Sequence, residues 1–397
     1  MTVQTTRRPS PPDRDGGRGI QRTAPRPLAP ALPATKGRKD PLWAKMTIVF
    51  GAVLMMAGGA GIAGTNWLVK SATSNVTKGN LLGGNEKRKV DGGGDLKGPI
   101  DILLMGVDAR KRWAVDDLRA DTIIVLHIPA SHDQAYLVSI PRDTAMKAPA
   151  FSPSRYPGGT AKATEVFFHG AQNGGGWTGG AQLLAQTIKE NTGMTFDGAA
   201  IIDFNGFKSV IDALDGVKMC VDQRVKSHHM KLVDGKPMYL AEARKAGGTK
   251  QEIWHEKGCR EMEGWEALDF ARQRYGLKHG DYDRQRHQQQ LIKAMAKKAA
   301  SSGILTNPVK VNSLIKAAGK AFVLDTGNVP VADFIFGLKG VAANDMVLLR
   351  TNNGTFAGDG NGYETIKPKS MEMYEAVRRD KLSEFILANP DVVANEK

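Results

Sequence analysis

Aspartates and arginines recur at the ends of apolar runs in this chain: Asp108 and Arg110 in MGVDAR, Arg119 and Asp121 in RADT, Arg142 and Asp143 in SIPRDT, then Arg272, Arg274, Asp281 and Arg284. Guanidinium forks suit phosphate oxygens bidentately, and carboxylates are the hard oxygen ligands that hold magnesium together with substrate phosphates. The set describes a site for a multiply charged phosphate held beside a divalent metal, magnesium first and manganese as its substitute. Taken singly, each charge reads better as an exposed loop charge or a structural ion pair. Their joint placement at element ends points to metal-assisted phosphoryl chemistry.

Three strands must position these residues. Ile100 to Val107, Thr122 to Ile128 and Ala135 to Ile140 are apolar, partly β-branched runs joined by polar connections. As an antiparallel meander they would bring Asp108, Asp121 and Arg142 to one edge of the sheet. Further along, Gly180 to Asn191 reads as a helix ended by Gly193, and Ala199 to Phe204 and Val217 to Val221 read as strands with a helix over Phe207 to Leu214 between them. Glu263 to Arg272 and Arg284 to Ala300 read as further helices. Strands interleaved with helices predict an α/β class: a mixed central β-sheet sandwiched by helices, α/β/α, forming one domain over residues 99–393. The glycine-rich Asn173 to Gly180 stretch lacks the Lys-Ser/Thr of a Walker loop and is expected as a plain mobile loop.

Charge is unevenly spread. The 397-residue chain has a formal net charge of +14, and residues 1–45 hold ten Lys/Arg against three Asp, which is half of that total. This Pro-rich tail has too few large apolar residues to fold and is expected to be disordered. Residues 46–69 contain no charged side chain and would span about 36 Å as a helix, enough for a bilayer core of about 30 Å. Trp43 and Trp67 flank that span. The positive-inside rule then makes the chain a single-pass type II membrane protein, with residues 1–45 cytoplasmic and everything after Lys70 extracytoplasmic. A cleaved signal peptide fits less well, because a long tail precedes the apolar run. Residues 70–98, rich in Gly, Lys and Asn, read as a flexible stalk. Cys220 and Cys259, the chain's two cysteines, are expected as a structural disulfide in such a compartment. No histidine pair has zinc-protease spacing. The basic tail lacks the aromatic interleaving of a nucleic-acid binder, so orientation and anionic lipid explain it and no nucleic acid is expected.

The order VDAR, RADT, SIPRDT, DFNGF, LDGV, MEGWEALDFARQR, DYDRQRHQQQ resembles the LytR-CpsA-Psr family of cell-envelope glycopolymer transferases, over roughly Ile100 to Ala300 and more loosely to about Val393. The resemblance implies a membrane-anchored phosphotransferase. It would move a glycopolymer such as teichoic acid, capsule or arabinogalactan from a polyprenyl pyrophosphate carrier onto peptidoglycan, leaving a phosphodiester. It implies magnesium at Asp108 and Asp121, and a pyrophosphate clasped by Arg119, Arg142, Arg272 and Arg274. Arg110, Asp143, Lys162, Asp281, Arg284 and Gln288 would bind substrate around it. Two positions depart from the family pattern: Lys162-Ala163-Thr164-Glu165 stands where KIN is usual, and His287 stands where another arginine is common, making that contact weaker or pH dependent. The alternatives are hydrolysis of the same carrier, or a non-catalytic envelope regulatory or binding protein. The polymer, the acceptor hydroxyl, the general base and the oligomeric state are not specified by sequence.

Overall fold

Alternation along the three apolar runs sets the architecture. Leu103, Met105 and Val107, then Ile123 and Val125, then Tyr136 and Val138 pack into one core. Ile100 and Ile102, then Ile124, Leu126 and Ile128, then Leu137 pack into another. Strands that are apolar on both faces need a covering layer on each. In the computed structural model, which describes residues 77–84, 98–108, 118–304, 307–327 and 346–394, that cover is helical on both sides. The disordered tail and membrane span expected over residues 1–69, and Arg110, lie outside the described residues. Among those described, no helix is long and apolar enough to cross a membrane.

The strands in chain order are β1 (Thr77–Lys78), β2 (Ile100–Val107), β3 (Ala120–Ile128), β4 (Ala135–Ser139), β5 (Ala145–Ala148), β6 (Gly159–Lys162), β7 (Gly198–Asp203), β8 (Val217–Val221), β9 (Val225–Val233), β10 (Lys236–Tyr239), β11 (Lys250–His255), β12 (Gly258–Met262), β13 (Phe322–Asp325) and β14 (Met346–Leu349). Seven form the main sheet in the order β1-β13-β7-β2-β3-β4-β14. β2, β3 and β4 are the expected antiparallel meander. β7 runs parallel to β2 and β14 parallel to β4. The C-terminal ends of β2, β4, β7 and β14 and the start of β3 therefore share one edge. Helices Ala163–Ala171, Gly176–Thr192 and Pro368–Arg378 supply the first core, and Asp281–Ser301 lies over the second face, with Ile292 and Ala296 packed there. Phe204–Ala213 and Gly264–Arg272 extend that side into a third apolar cluster.

Two expectations change. The stalk assigned to residues 70–98 is partly folded: β1 pairs with β13, and Leu81 and Leu82 are fully buried in the first core. Apolar Leu81-Leu82 was submerged in a Gly/Asn-rich composition that reads as linker. The glycine-rich Asn173 to Gly180 stretch is also no plain loop, since Gly176 to Gly180 form the first turns of Gly176–Thr192. A Cβ on Gly170 would fall 2.4 Å from the Gly179 carbonyl oxygen, so glycine here permits two helix backbones to touch.

Cys220 and Cys259 face each other across the β8–β12 ladder and are disulfide-bonded, Cα atoms 3.9 Å apart. The bond closes a loop with a sequence separation of 39, which by chain entropy contributes about 3–4 kcal/mol. Cys220→Ala/Cys259→Ala is expected to lower unfolding stability by that order. Chemical denaturation with and without reductant measures it, and equal midpoints for wild type and variant would contradict it.

Candidate active site

A bulge aims the first carboxylate. Gly106 pairs with Thr122 while Val107 pairs with Ala120, leaving Asp121 as the extra residue at the start of β3. Bulges re-aim side chains at sheet rims in this way. Glycine at 106 is required there, since a Cβ would lie 2.9 Å from Thr122 Cβ. Arg142, three residues beyond β4, donates from Nη1 to Asp121 Oδ1 at 2.6 Å. Its Nε lies 3.6 Å from Asp143 and 3.7 Å from Asp281. Burial pulls the Arg142 pKa down, but Asp121, Asp281 and Asp143 together outweigh it and the net shift is upward. Lys162 reaches Asp143 Oδ1 at 3.2 Å.

The second layer comes from the helix Asp281–Ser301. Arg284, buried, lies 2.9 Å from Asp281 Oδ1 and donates from Nη2 to the Asp121 carbonyl at 3.0 Å. Burial lowers its pKa despite Asp281 and Asp121, with Arg142 and Arg274 opposing the charge further. Gln288, at helical spacing from Asp281 and Arg284, presents a buried Oε1 that has no hydrogen-bond partner among the described residues. The buried Nε donors of Arg142 and Arg284 likewise have no hydrogen-bond acceptor there. Buried donors of this kind ask for an anion.

Arg272 ends the helix Gly264–Arg272, and Gln273 follows with extended backbone, φ −66° and ψ 136°. Gln273 is fully buried and bonds back to the Asp269 carbonyl. Arg272 and Arg274 flank that buried residue. They are differently held. Arg272 Nη2 is 3.5 Å from Asp108 and its guanidinium lies 3.8 Å over the Phe204 ring, whereas Arg274 bonds the Tyr275 hydroxyl at 2.7 Å. Arg119 is exposed and lies 5.3 Å over Phe168.

His287 does not fit its expected role. It is fully buried, stacked 4.3 Å from Phe270, with Nε2 3.2 Å from Asp222. It packs in the core under the helix, its Nε2 3.2 Å from Arg286 Nη2. Burial chiefly depresses its pKa below the ordinary value, and the Asp222 contact only partly offsets this. Asp222 itself is held far below the carboxylate range by His287 and Arg286, against its own burial. A buried neutral histidine is stabilising above its unfolded pKa of about 6.5, and that stability is lost as pH falls through its lower folded value. Urea midpoints measured at pH 7.5 and 5.5 should therefore drop on acidification, and drop less in His287→Gln. An equal drop in the variant would remove His287 as the cause.

Two further acidic residues join this edge: Asp203, which opens the DFNGF run, and Glu364, which nothing in the sequence marks. Asp203 ends β7 and caps Phe204–Ala213 through Gly206 N at 2.8 Å. Its pKa is raised, mainly by burial and further by Asp108, which places a second carboxylate near Asp108. Glu364, buried, accepts from Tyr282 Oη and from Asn352 Nδ2 at 3.0 Å. Its amide donates to the Asp143 carbonyl at 3.0 Å, so residue 364 ties the loop bearing Asp143 to the start of the Asp281 helix.

The donor set can be tested against a divalent cation. Among the described residues no cluster of three or more His, Cys, Asp or Glu could hold a metal alone. Asp108 and Asp121 offer hard oxygens beside arginines, which matches magnesium, an ion that takes one or two carboxylates and completes its shell with phosphate oxygens and water.

One edge of the mixed, helix-covered sheet thus carries interleaved guanidinium and carboxylate groups with buried donors left over, an arrangement chemically suited to the oxygens of an anion. The chain belongs to the LytR_cpsA_psr family, whose model matches residues 66–379. It is 26% identical over 386 residues to the cell wall biosynthesis protein LcpA of Corynebacterium glutamicum, covering 90% of this chain and 69% of that protein. It is 29% identical over 220 residues to the polyisoprenyl-teichoic acid–peptidoglycan teichoic acid transferase TagU of Oceanobacillus iheyensis, covering 55% of this chain and 57% of that protein. The crystal structure of protein gbs0355 from Streptococcus agalactiae superimposes with a TM-score of 0.54 at 18% identity, over 72% of this chain and 88% of that one. That likeness shows the fold.

Proposed function

We propose that this protein is a phosphotransferase that moves a glycopolymer from a polyprenyl pyrophosphate carrier to peptidoglycan, anchored by residues 46–69 with its folded part outside the cytoplasm. The observation that carries the reading is the convergence of Arg142, Arg284, Asp121 and Asp281 at one sheet edge in a LytR_cpsA_psr family member that is similar to the teichoic acid transferase TagU. An acceptor hydroxyl oxygen forms a bond to the glycan-bearing phosphorus, the bridging P–O bond breaks, polyprenyl phosphate leaves with the bridging oxygen, and the hydroxyl proton is released. Phosphoryl transfer asks the protein mainly for positioning and charge neutralisation. Arg142 and Arg284 hold the pyrophosphate oxygens, and Asp281 fixes both guanidinium groups. Asp108 and Asp121 would hold magnesium, which when bound neutralises phosphate charge. A cavity of about 330 Å³ lined by Met230, Pro237, Met238, Trp265 and Leu268, with Arg272 also on its wall, offers apolar surface beside the site for the carrier's first isoprene units.

Incubating the full chain with a lipid pyrophosphate glycan, peptidoglycan fragments and magnesium, and identifying products by mass, tests this. A polymer joined to peptidoglycan through phosphodiester, lost with a chelator and restored by magnesium, is the expected result. Free polymer phosphate would instead make the protein a hydrolase, and neither product would make it a binding protein.

A further inference from the structure

The helix Asp281–Ser301 has a second functional stripe. Asp281, Arg284 and Gln288 face the arginine site, while Tyr282, Arg286 and Gln289, at i, i+4 and i+7, line a separate cavity of about 410 Å³. That size is within the ordinary range of small-ligand sites. Gln285 belongs to both, lining the cavity and donating to Asp281 Oδ2 at 3.3 Å. The floor is rigid and internally satisfied: Gln289 Nε2 donates to the Leu137 carbonyl, Ser139 Oγ and the Leu349 carbonyl, and Thr351 Oγ1 donates to the Ser139 carbonyl. Its rim is not. Lys278 and the Asn353 side chain have no partner among the described residues, and the buried Nε of Arg350 has no hydrogen-bond acceptor there. Asn352 and Asn353 both hold left-handed backbone, φ 53° and 58°, a conformation that costs energy in non-glycine residues and here turns Asn353 onto the rim. Asn352 locks that turn by bonding Glu364 and the Thr365 carbonyl.

We propose that this cavity is the subsite for the acceptor glycan, the amino-sugar strand whose hydroxyl attacks the phosphorus. The inference rests on the transferase reading above. Asp222 and Asp283 meet Arg286 at 2.7 and 3.3 Å, and Gln285, Thr351 and Asn353 stand beside them, so the lining mixes paired charge with amide and hydroxyl groups that can bond the hydroxyls and amides of a glycan. An attacking oxygen must also arrive in line with, and opposite to, the leaving oxygen. The cavity beside Arg272 takes the carrier, which leaves this second cavity, joined to the site through Gln285 and Asp281, for the nucleophile.

The test is steady-state transfer by the full chain with donor and acceptor varied independently. Lys278→Trp fills the rim at an exposed position, and Asn353→Gly removes the amide while keeping the left-handed turn. Each variant is expected to raise the peptidoglycan fragment concentration for half-maximal rate by about tenfold, the effect of roughly 1.4 kcal/mol in binding, with donor half-saturation unchanged. Unchanged acceptor half-saturation, or a rise for the donor instead, overturns the proposal. Should wild type make no transfer product, the transferase reading fails, and the subsite is then decided by equilibrium dialysis of the same fragment. Binding lost in Lys278→Trp sustains it, and equal binding overturns it.

Discussion

Arg142→Ala is expected to lower glycopolymer transfer by about 10²- to 10³-fold, the scale seen when one preorganised charge-stabilising donor is lost. Arg142 stands at the centre of the site, touching Asp121 at 2.6 Å and reaching toward Asp143 and Asp281. Its Nε has no hydrogen-bond acceptor in the described structure, so a phosphate oxygen can take that donor without displacing another. Arg142→Lys should recover little. An ammonium keeps the charge but cannot hold Asp121 with one nitrogen and present a second, coplanar donor to phosphate. The side chain is 20% exposed against 7% for Arg284, so the melting temperature of each variant should fall less than that of Arg284→Ala. Rates and thermal unfolding measured on the same preparations decide the matter. Full activity in Arg142→Lys would show that the fork is not used, and a large fall in melting temperature would show that the lost rate reports folding.

The sheet edge was legible because period-two patterning is local. Ile100 to Val107 and its two partners alternate between two apolar cores, and that alternation fixes which ends meet. The helix expected over Glu263 to Arg272 likewise matches Gly264–Arg272 closely. What the sequence hid depends on partners distant in the chain. Asp121 is aimed by a bulge that nothing in RADT announces. Glu364 gains its role from Tyr282, 82 residues away, and the Asn-Asn-Gly turn before it reads only as a loop. His287 sits within a charged run, at a position that reads as a weakened or pH-dependent basic contact. Its burial against Phe270 and Asp222 depends on the turn of a helix whose register the polar string DYDRQRHQQQ leaves open. The β9–β11 ribbon was missed for a related reason. Its strands carry few apolar residues and are pinned to the Gly264–Arg272 helix by a buried polar cluster, in which Asp269 meets His255 at 2.8 Å and Ser227 at 3.0 Å.

Arg284 separates structure from chemistry in the opposite sense to Arg142. It is 6% exposed and sits against the Asp281 carboxylate and the Asp121 carbonyl. Removing Arg284 leaves the Asp281 carboxylate, 23% exposed and still 3.7 Å from Arg142 Nε, with its nearest partner gone, at a cost of about 1–3 kcal/mol. Arg284→Ala is therefore expected to lose both stability of that order and transfer activity, because the Asp281 carboxylate would no longer be tied to the bulge that presents Asp121. Denaturant unfolding gives the first quantity, and the rate in conditions where the variant remains folded gives the second. Adding Asp281→Asn separates the two causes. Neutralising the stranded carboxylate should restore much of the stability lost in Arg284→Ala, since the penalty arises from a carboxylate that has lost its nearest partner, yet it should restore none of the rate, since neither change returns a guanidinium to the phosphate. If the double variant were as unstable as Arg284→Ala, the cost would lie in the void left by the side chain and not in the charge. If it regained transfer, Arg284 would be a structural member of the site and the anion would be held by Arg142 and the Arg272/Arg274 pair alone.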